Sequence, residues 1–166
     1  ASDLSKNSVK CCIANFQKYK IDGIVKKGSL LNPWRNYKFD IIINDISGIS
    51  SEVAKKSNWF KKVPSSTGID GTKLTVSIIK NSKFFLKKNG KLILPIISLS
   101  DTKKILDMAK KNFKKVKTIS KNQWFLPKEL EKNSELLFKL KKKKKIEFEL
   151  KFGKIICYTK IIELSN

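Results

Sequence analysis

The sequence predicts an α/β protein in which a mostly parallel sheet carries helices on both faces and ends in an antiparallel addition. Three observations predict it. Helix-periodic and strand-like segments alternate along the chain. Phe39-Asp40-Ile41-Ile42-Ile43 is a continuous β-branched run without polar alternation, as expected of a parallel strand buried on both faces. Two extended segments, 146–152 and 154–164, meet at Gly153 and read as the antiparallel addition.

The elements follow in order. Ser5 is a suitable N-cap, and Val9, Cys12, Ile13 and Phe16 then recur at i, i+3, i+4 and i+7, one apolar helical face. A short strand is expected at 23–26, then a loop with Gly28, Pro33 and Trp34, and then the strand Phe39–Ile43. Residues 44–71 form a long irregular stretch rich in Ser, Gly and Pro, with Trp59 and Phe60 near its centre. Loops of this length in a compact domain usually carry function. A helix at 72–88 places Leu74, Ile78 and Phe85 together and stops at Asn89-Gly90. A second buried strand, 91–97, follows. Asp101 or Ser100 caps a helix with Ile105, Met108, Ala109 and Phe113 on its apolar face. A strand at 116–126 ends at Pro127, and 128–145 reads as one helix. No repeat or linker interrupts residues 1–166, which are read as a single domain.

Composition narrows the chemistry. The 166 residues include no histidine, which removes Ser-His-Asp and Cys-His catalysis, His-ligated zinc and an imidazole base. The formal charge is +23, but Arg35 is the only arginine among 37 basic residues. Recognition of phosphates and bases favours the bidentate arginine fork. A lysine-, isoleucine- and asparagine-rich chain therefore fits biased composition as well as it fits a built recognition surface. Such a surface still attracts nucleic acid weakly and in a salt-dependent way. The run Lys141–Lys145 reads as a solvated helix end. Cys11, Cys12 and Cys157 form no CxxC pair and read as reduced core thiols of a cytoplasmic protein. No apolar run is long enough to span a bilayer, so no membrane partner is expected.

In an open α/β sheet, ligands sit beyond the carboxyl ends of the strands. Asp3, just before the first helix, is placed to accept the hydroxyls of a ribose, or simply to cap the helix. Gly28-Ser29-Leu30 follows the second strand, where backbone groups and an apolar side chain can frame an adenine. Asn44-Asp45-Ile46-Ser47-Gly48 follows the most apolar strand, and its polar side chains are either turn formers or reacting groups.

Four segments in order resemble the class I S-adenosylmethionine-dependent methyltransferases, in particular the release-factor glutamine and small-domain type. They are SDLSKNSVKCCIANFQKYKI (2–21), VKKGSLLNPW (25–34), YKFDIIINDISG (37–48) and GIDGTKLTVSIIKNSKFFLKKNGKLILPI (68–96). The third is similar to the family's FDxIxxNPPY element. The resemblance implies a Rossmann-like sheet with an antiparallel last strand and S-adenosylmethionine as cofactor. It also implies that Asp3 and Leu4 lie at the ribose, Ser29 and Leu30 beside the adenine, and Asn44 at the transferring methyl. Asp40 becomes a structural residue at the strand start. Asn44, Asp45, Ile46 and Ser47 take the place of the catalytic NPPY. In the family, the Asn side chain and the next carbonyl accept hydrogen bonds from a planar NH₂ and aim its nitrogen at the methyl.

Asp45-Ile46-Ser47 replaces Pro-Pro-Tyr, so the rigid clamp and the stacking aromatic of the family are absent. No GxGxG or GxGxxG occurs in residues 1–166. On this reading the chain enters the fold inside its second strand, lacks the first strand and Gly-rich loop, and is an impaired fragment. A protein or nucleic-acid amino group is the favoured acceptor, and oligomeric state is left open. The other reading of the same residues is a non-catalytic, lysine-rich α/β module that binds nucleic acid, with Asn44–Gly48 only a turn.

Overall fold

The computed structural model describes residues 1–46, 48–60 and 66–166. They form two compact units, Ala1–Lys38 and Phe39–Asn166.

In the first unit, β1 (Ser2–Asp3) leads into α1 (Lys6–Lys18), and β2 (Lys26–Lys27) pairs with β1 in parallel. The chain starts α1 where Ser5 Oγ accepts the N–H of Ser8 at 3.3 Å, the expected cap. It stops α1 where Lys20 turns left-handed, at φ 52°. There Ile21 N–H reaches Phe16 O (2.8 Å) and Lys20 N–H reaches Gln17 O (3.2 Å), the paired bonds of a Schellman ending. Val9, Cys12 and Phe16 are only half-buried and Ile13 is exposed, so the predicted apolar face has no closed core beneath it. The second strand lies at Lys26–Lys27, C-terminal to most of the expected 23–26 segment. A 3₁₀ turn at Asn32–Trp34 follows. Trp34 is buried and donates its Nε1–H to Ser2 Oγ at 2.9 Å.

The second unit contains β3 (Phe39–Ile43), α2 (Ser51–Ala54), α3 (Lys73–Ser82), β4 (Leu86–Ile97) and α4 (Thr102–Asn112). It continues with β5 (Lys115–Phe125), α5 (Lys128–Glu131), α6 (Ser134–Lys142), β6 (Glu149–Lys151) and β7 (Lys154–Ser165). The sheet order is β3-β4-β7-β5, with β6 also beside β7. β3 and β4 are parallel, whereas β7 is antiparallel to β4, β5 and β6. All strands of this sheet but β7 therefore run one way, the predicted mostly parallel sheet with a reversed last strand.

Leu92, Leu94 and Ile96 share one face of β4, with Leu164 and Ile162 opposite the first two, and all are fully buried. The helices α3 and α4 lie against this strand and bring Ile78, Ile79, Ile105 and Ala109. A second cluster joins Ile49, Leu99, Leu130, Leu137, Leu140, Ile155 and Cys157. Desolvation there raises the Cys157 thiol pKa to about 11. Cys157 is thus a core thiol, but Cys12 is half-buried and Cys11 is exposed.

Three local expectations are corrected. The strand Phe39–Ile43 lies where predicted, yet only Ile42 is buried, while Ile41 and Ile43 are 54% and 75% exposed. The reason is position. β3 ends the sheet order, so among the described residues it has one strand neighbour and one uncovered face. The helix expected at 72–88 ends at Ser82 and passes through a 3₁₀ turn, Lys83–Phe85, into β4. Asn89-Gly90 is strand, not stop. The pairing slips between Phe39↔Leu86 and Ile41↔Lys91 there, and a Cβ on Gly90 would approach Phe39 O to 2.8 Å. The single helix expected at 128–145 divides into α5 and α6, where the Asn133 side chain bonds back to Glu129 O at 3.1 Å.

Candidate functional site

The carboxyl ends of the parallel strands carry the predicted residues, some on each unit. On the first, Gly28 N–H donates to Asp3 O at 3.0 Å, so the ends of β1 and β2 are tied together. Asp3 and Leu4 therefore stand beside Ser29 and Leu30. Asp3 is exposed, and its Oδ1 accepts the N–H of Ser5 at 2.6 Å. That bond orients the carboxylate at the helix start. Leu4 and Ser29 are exposed, and Ser29 O accepts from Asn32 N–H at 3.1 Å. Leu30 adopts φ 51°, a left-handed conformation that a bulky side chain rarely takes. Gly28 is required by close approach, since a Cβ there would lie 2.3 Å from Pro33 Cγ. Lys26 Nζ locks the same turn by bonding Pro33 O at 3.1 Å and sitting over the Trp34 and Tyr37 rings.

On the second unit, Asn44 extends the β3 ladder by one bond, N–H to Ile93 O at 2.9 Å. Its side-chain Oδ1 is buried and has no hydrogen-bond partner among the described residues. A buried acceptor left unmade is uncommon and costs about 1–3 kcal/mol. Asp45 is exposed and Ile46 half-buried. Ser47, the fourth residue of the predicted catalytic segment, lies outside the described residues.

The segment after Asn44 is held down by residues far away in sequence. Ser50 N–H donates to Leu99 O at 2.7 Å, and Thr67 Oγ donates to Ile49 O at 2.6 Å. Gly71, at φ 69°, fills the remaining space. A Cβ there would meet Ile49 C at 2.5 Å, Ser50 N at 2.7 Å and Ser100 Cβ at 2.9 Å. Asp70 accepts from the Thr72 N–H and hydroxyl and pairs with Lys104 at 2.6 Å. Burial pushes its carboxyl pKa up, but Lys104 and Thr72 more than offset this and hold it below the usual range. Ser50 Oγ is a second buried oxygen without a partner among the described residues. Sequence reading missed Ser50, Thr67 and Gly71 as parts of this site. The Asp70-Gly71 pair, a turn signal, was the available clue. Asp40, expected as a structural residue, is exposed and pairs with Lys87 of β4 at 2.8 Å.

Each group of residues offers hydrogen-bond acceptors and an exposed carboxylate, Asp3 on the first unit and Asp45 on the second, and the sequence supplies no imidazole base. Among the described residues, no helix is long and apolar enough to cross a membrane.

No protein-family model and no curated protein matches this sequence. Solved structures match in fold. The ribosomal protein L11 methylase of Lactobacillus delbrueckii subsp. bulgaricus superposes with a TM-score of 0.53 at 17% identity, over 100% of this chain and 57% of its own. The YcgJ protein of Bacillus subtilis gives a TM-score of 0.54 at 12% identity, over 99% and 81%. The precorrin 8W decarboxylase of Methanobacterium thermoautotrophicum gives 0.53 at 11%, over 100% and 68%. The chain thus spans a little over half the length of the first of these. At such identities the likeness concerns fold, and the fold is the Rossmann-like α/β fold of class I methyltransferases.

Proposed function

We propose that this chain carries the cofactor and acceptor positions of an S-adenosylmethionine-dependent methyltransferase acting on an amino group of a protein or nucleic acid. The observation that carries the reading is Asn44 Oδ1, a buried acceptor with no partner among the described residues, at the carboxyl end of β3. An amino group is the complementary ligand. It donates two hydrogens, and holding one on Oδ1 fixes the direction of the nitrogen lone pair.

S-adenosylmethionine, when bound, supplies an electrophilic sulfonium methyl. The protein's part is then orientation and exclusion of water, for which no histidine is needed. Asp3 would accept the ribose hydroxyls, its carboxylate held by Ser5 N–H at 2.6 Å. Leu30, fixed in its left-handed turn, would lie against the adenine with Ser29. Asp45, exposed next to Asn44, is the residue available to take up the proton released by the acceptor nitrogen. Residues 1–166 contain no GxGxG loop, so cofactor affinity from these residues alone is expected to be low.

Calorimetric titration with S-adenosylmethionine, paired with a methyl-transfer assay, tests this. Asp3→Ala should weaken cofactor binding at least tenfold. Asn44→Ala should leave binding within about twofold and lower turnover by two orders of magnitude or more, as expected when an orienting group is removed. Equal affinity of wild type and Asp3→Ala would remove the cofactor assignment.

A further inference from the structure

We propose that the exposed sheet face formed by the end of β5, the start of β7 and the β6–β7 hairpin binds single-stranded nucleic acid. The argument is independent of methyl transfer and lies wholly within Phe39–Asn166.

Residues opposite each other in an antiparallel pair share a face. Along β7 the register places Lys121 opposite Lys160, Gln123 opposite Tyr158, Phe125 opposite Ile156 and Lys151 opposite Lys154. One face therefore carries Lys121, Phe125, Lys154, Tyr158 and Lys160, with Glu149 and Lys151 of β6 on the same side. The lysines and rings alternate at close range. Lys154 Nζ lies 5.8 Å from the Phe125 centroid, and Lys121 and Lys160 Nζ lie 5.1 and 4.9 Å from that of Tyr158. Of the carboxylates, Glu149 lies on this face and Glu147 beside Tyr158, and both are engaged. Glu149 pairs with Lys151 at 2.7 Å, and Glu147 accepts from Tyr158 Oη and Thr102 Oγ. Lys121, Lys154 and Lys160 form no ion pair among the described residues. From Lys154 to Lys160 the strand extends roughly 20 Å, an ammonium-bearing track for a phosphate backbone.

The hairpin tip adds an observation that stability does not explain. Phe152 and Gly153 both have positive φ, 50° and 73°, as in the two-residue turn that favours Asn-Gly. A bulky aromatic is strained in that conformation. Phe152 is also fully exposed (103%), and Phe125, on the face beside it, is 65% exposed. Two solvent-facing rings, Phe152 on a strained backbone and Phe125 with the Lys154 ammonium 5.8 Å from its centroid, provide what an unpaired strand requires. Bases stack on rings while phosphates meet the cations. The +23 charge argues against a second copy of the chain as occupant.

The test is fluorescence anisotropy of a labelled mixed-sequence single-stranded oligonucleotide, as RNA and as DNA, over a range of salt concentrations. A duplex of the same sequence and inorganic polyphosphate run alongside. The single strands should bind more tightly than the other two. Phe152→Asn should weaken single-strand binding at least fivefold, leave polyphosphate unaffected, and maintain or raise the melting temperature, because Asn suits the turn better. Phe125→Ala should act alike. Replacing both Lys121 and Lys154 by Gln should lower the salt slope by about 0.7 for each phosphate that is no longer neutralised. The control pair Lys110→Gln and Lys111→Gln on α4 should leave that slope unchanged. The proposal is overturned if polyphosphate or duplex binds as tightly as the single strand, or if the control pair acts like the site pair. Undiminished single-strand affinity in the Phe125→Ala, Phe152→Asn double variant would likewise overturn it.

Discussion

The two units obtain their order from different sources. In Ala1–Lys38, Leu31 and Trp34 are the only buried apolar side chains among the described residues, and no residue of α1 is buried. Order there rests on the Ser5 cap, the Schellman ending at Lys20–Ile21, the short β1–β2 pair and the Lys26 bond to Pro33 O. In Phe39–Asn166, by contrast, both faces of the sheet pack against helices over part of their length, and most of the deeply buried Ile and Leu side chains are found there. Local hydrogen bonds are enough to define a helix, but each contributes only about 1 kcal/mol net. A buried Leu or Ile contributes about 1.5–3 kcal/mol. The proposed cofactor residues of the first unit therefore sit on a locally defined scaffold, and Asn44 sits on a packed one.

The largest expected effect sharpens that contrast. Leu94→Ala removes a fully buried side chain and should destabilise Phe39–Asn166 by about 2–5 kcal/mol in chemical denaturation. Ile13→Ala, at a position of α1 that is 40% exposed, should cost less than about 1 kcal/mol. Equal losses would break the comparison. Gly71→Ala comes next, at about 1–3 kcal/mol, since it places a Cβ against the Ile49 and Ser50 backbone at a left-handed φ. Its thermal melt should drop even though the substitution only adds atoms. Ser5→Ala should follow, at about 1 kcal/mol, read as reduced helicity of α1 by far-ultraviolet circular dichroism with the second unit unaffected.

The smallest effect depends on pH. Asp70 titrates below the usual carboxylate range when folded, so the unfolded chain takes up the proton first on acidification. The Asp70–Lys104 contribution is therefore complete above the ordinary aspartate pKa and is lost as pH falls through the lower folded value. Lys104→Gln should flatten the stability profile in that acidic window and leave its neutral-to-alkaline side unchanged. An unaltered acidic limb would show that the Asp70–Lys104 pair has no share in it.

Much of the fold was legible because its signals are short-range. The cap at Ser5, the cap at Asp101 and the five-residue strand Phe39–Ile43 each follow from residues within a turn or two. Asn44 was legible as a candidate because it is the first polar residue after an apolar strand. The resemblance to methyltransferases gave that position a role. The errors also have a physical pattern. Asn89-Gly90 carries a strong stop signal, yet pairing with β3 drew it into β4. The segment 128–145 reads as one helix, but the backbone leaves helical geometry at Asn133 (φ −107°, ψ 30°), where α5 ends and α6 begins.

From sequence alone came the order of elements, the absence of imidazole chemistry and the residues at the strand ends. Each of these depends on residue type or on neighbours a few positions apart. Tertiary structure decided that Ile41 and Ile43 face solvent, that Ser50, Thr67 and Gly71 anchor the Asn44 loop, and that Asn44 Oδ1 is buried without a partner among the described residues. Burial and hydrogen-bond satisfaction depend on which distant segments share a sheet edge or a loop. Pairings such as Ile49 with Thr67, or Ser50 with Leu99, exist only after the chain has closed on itself.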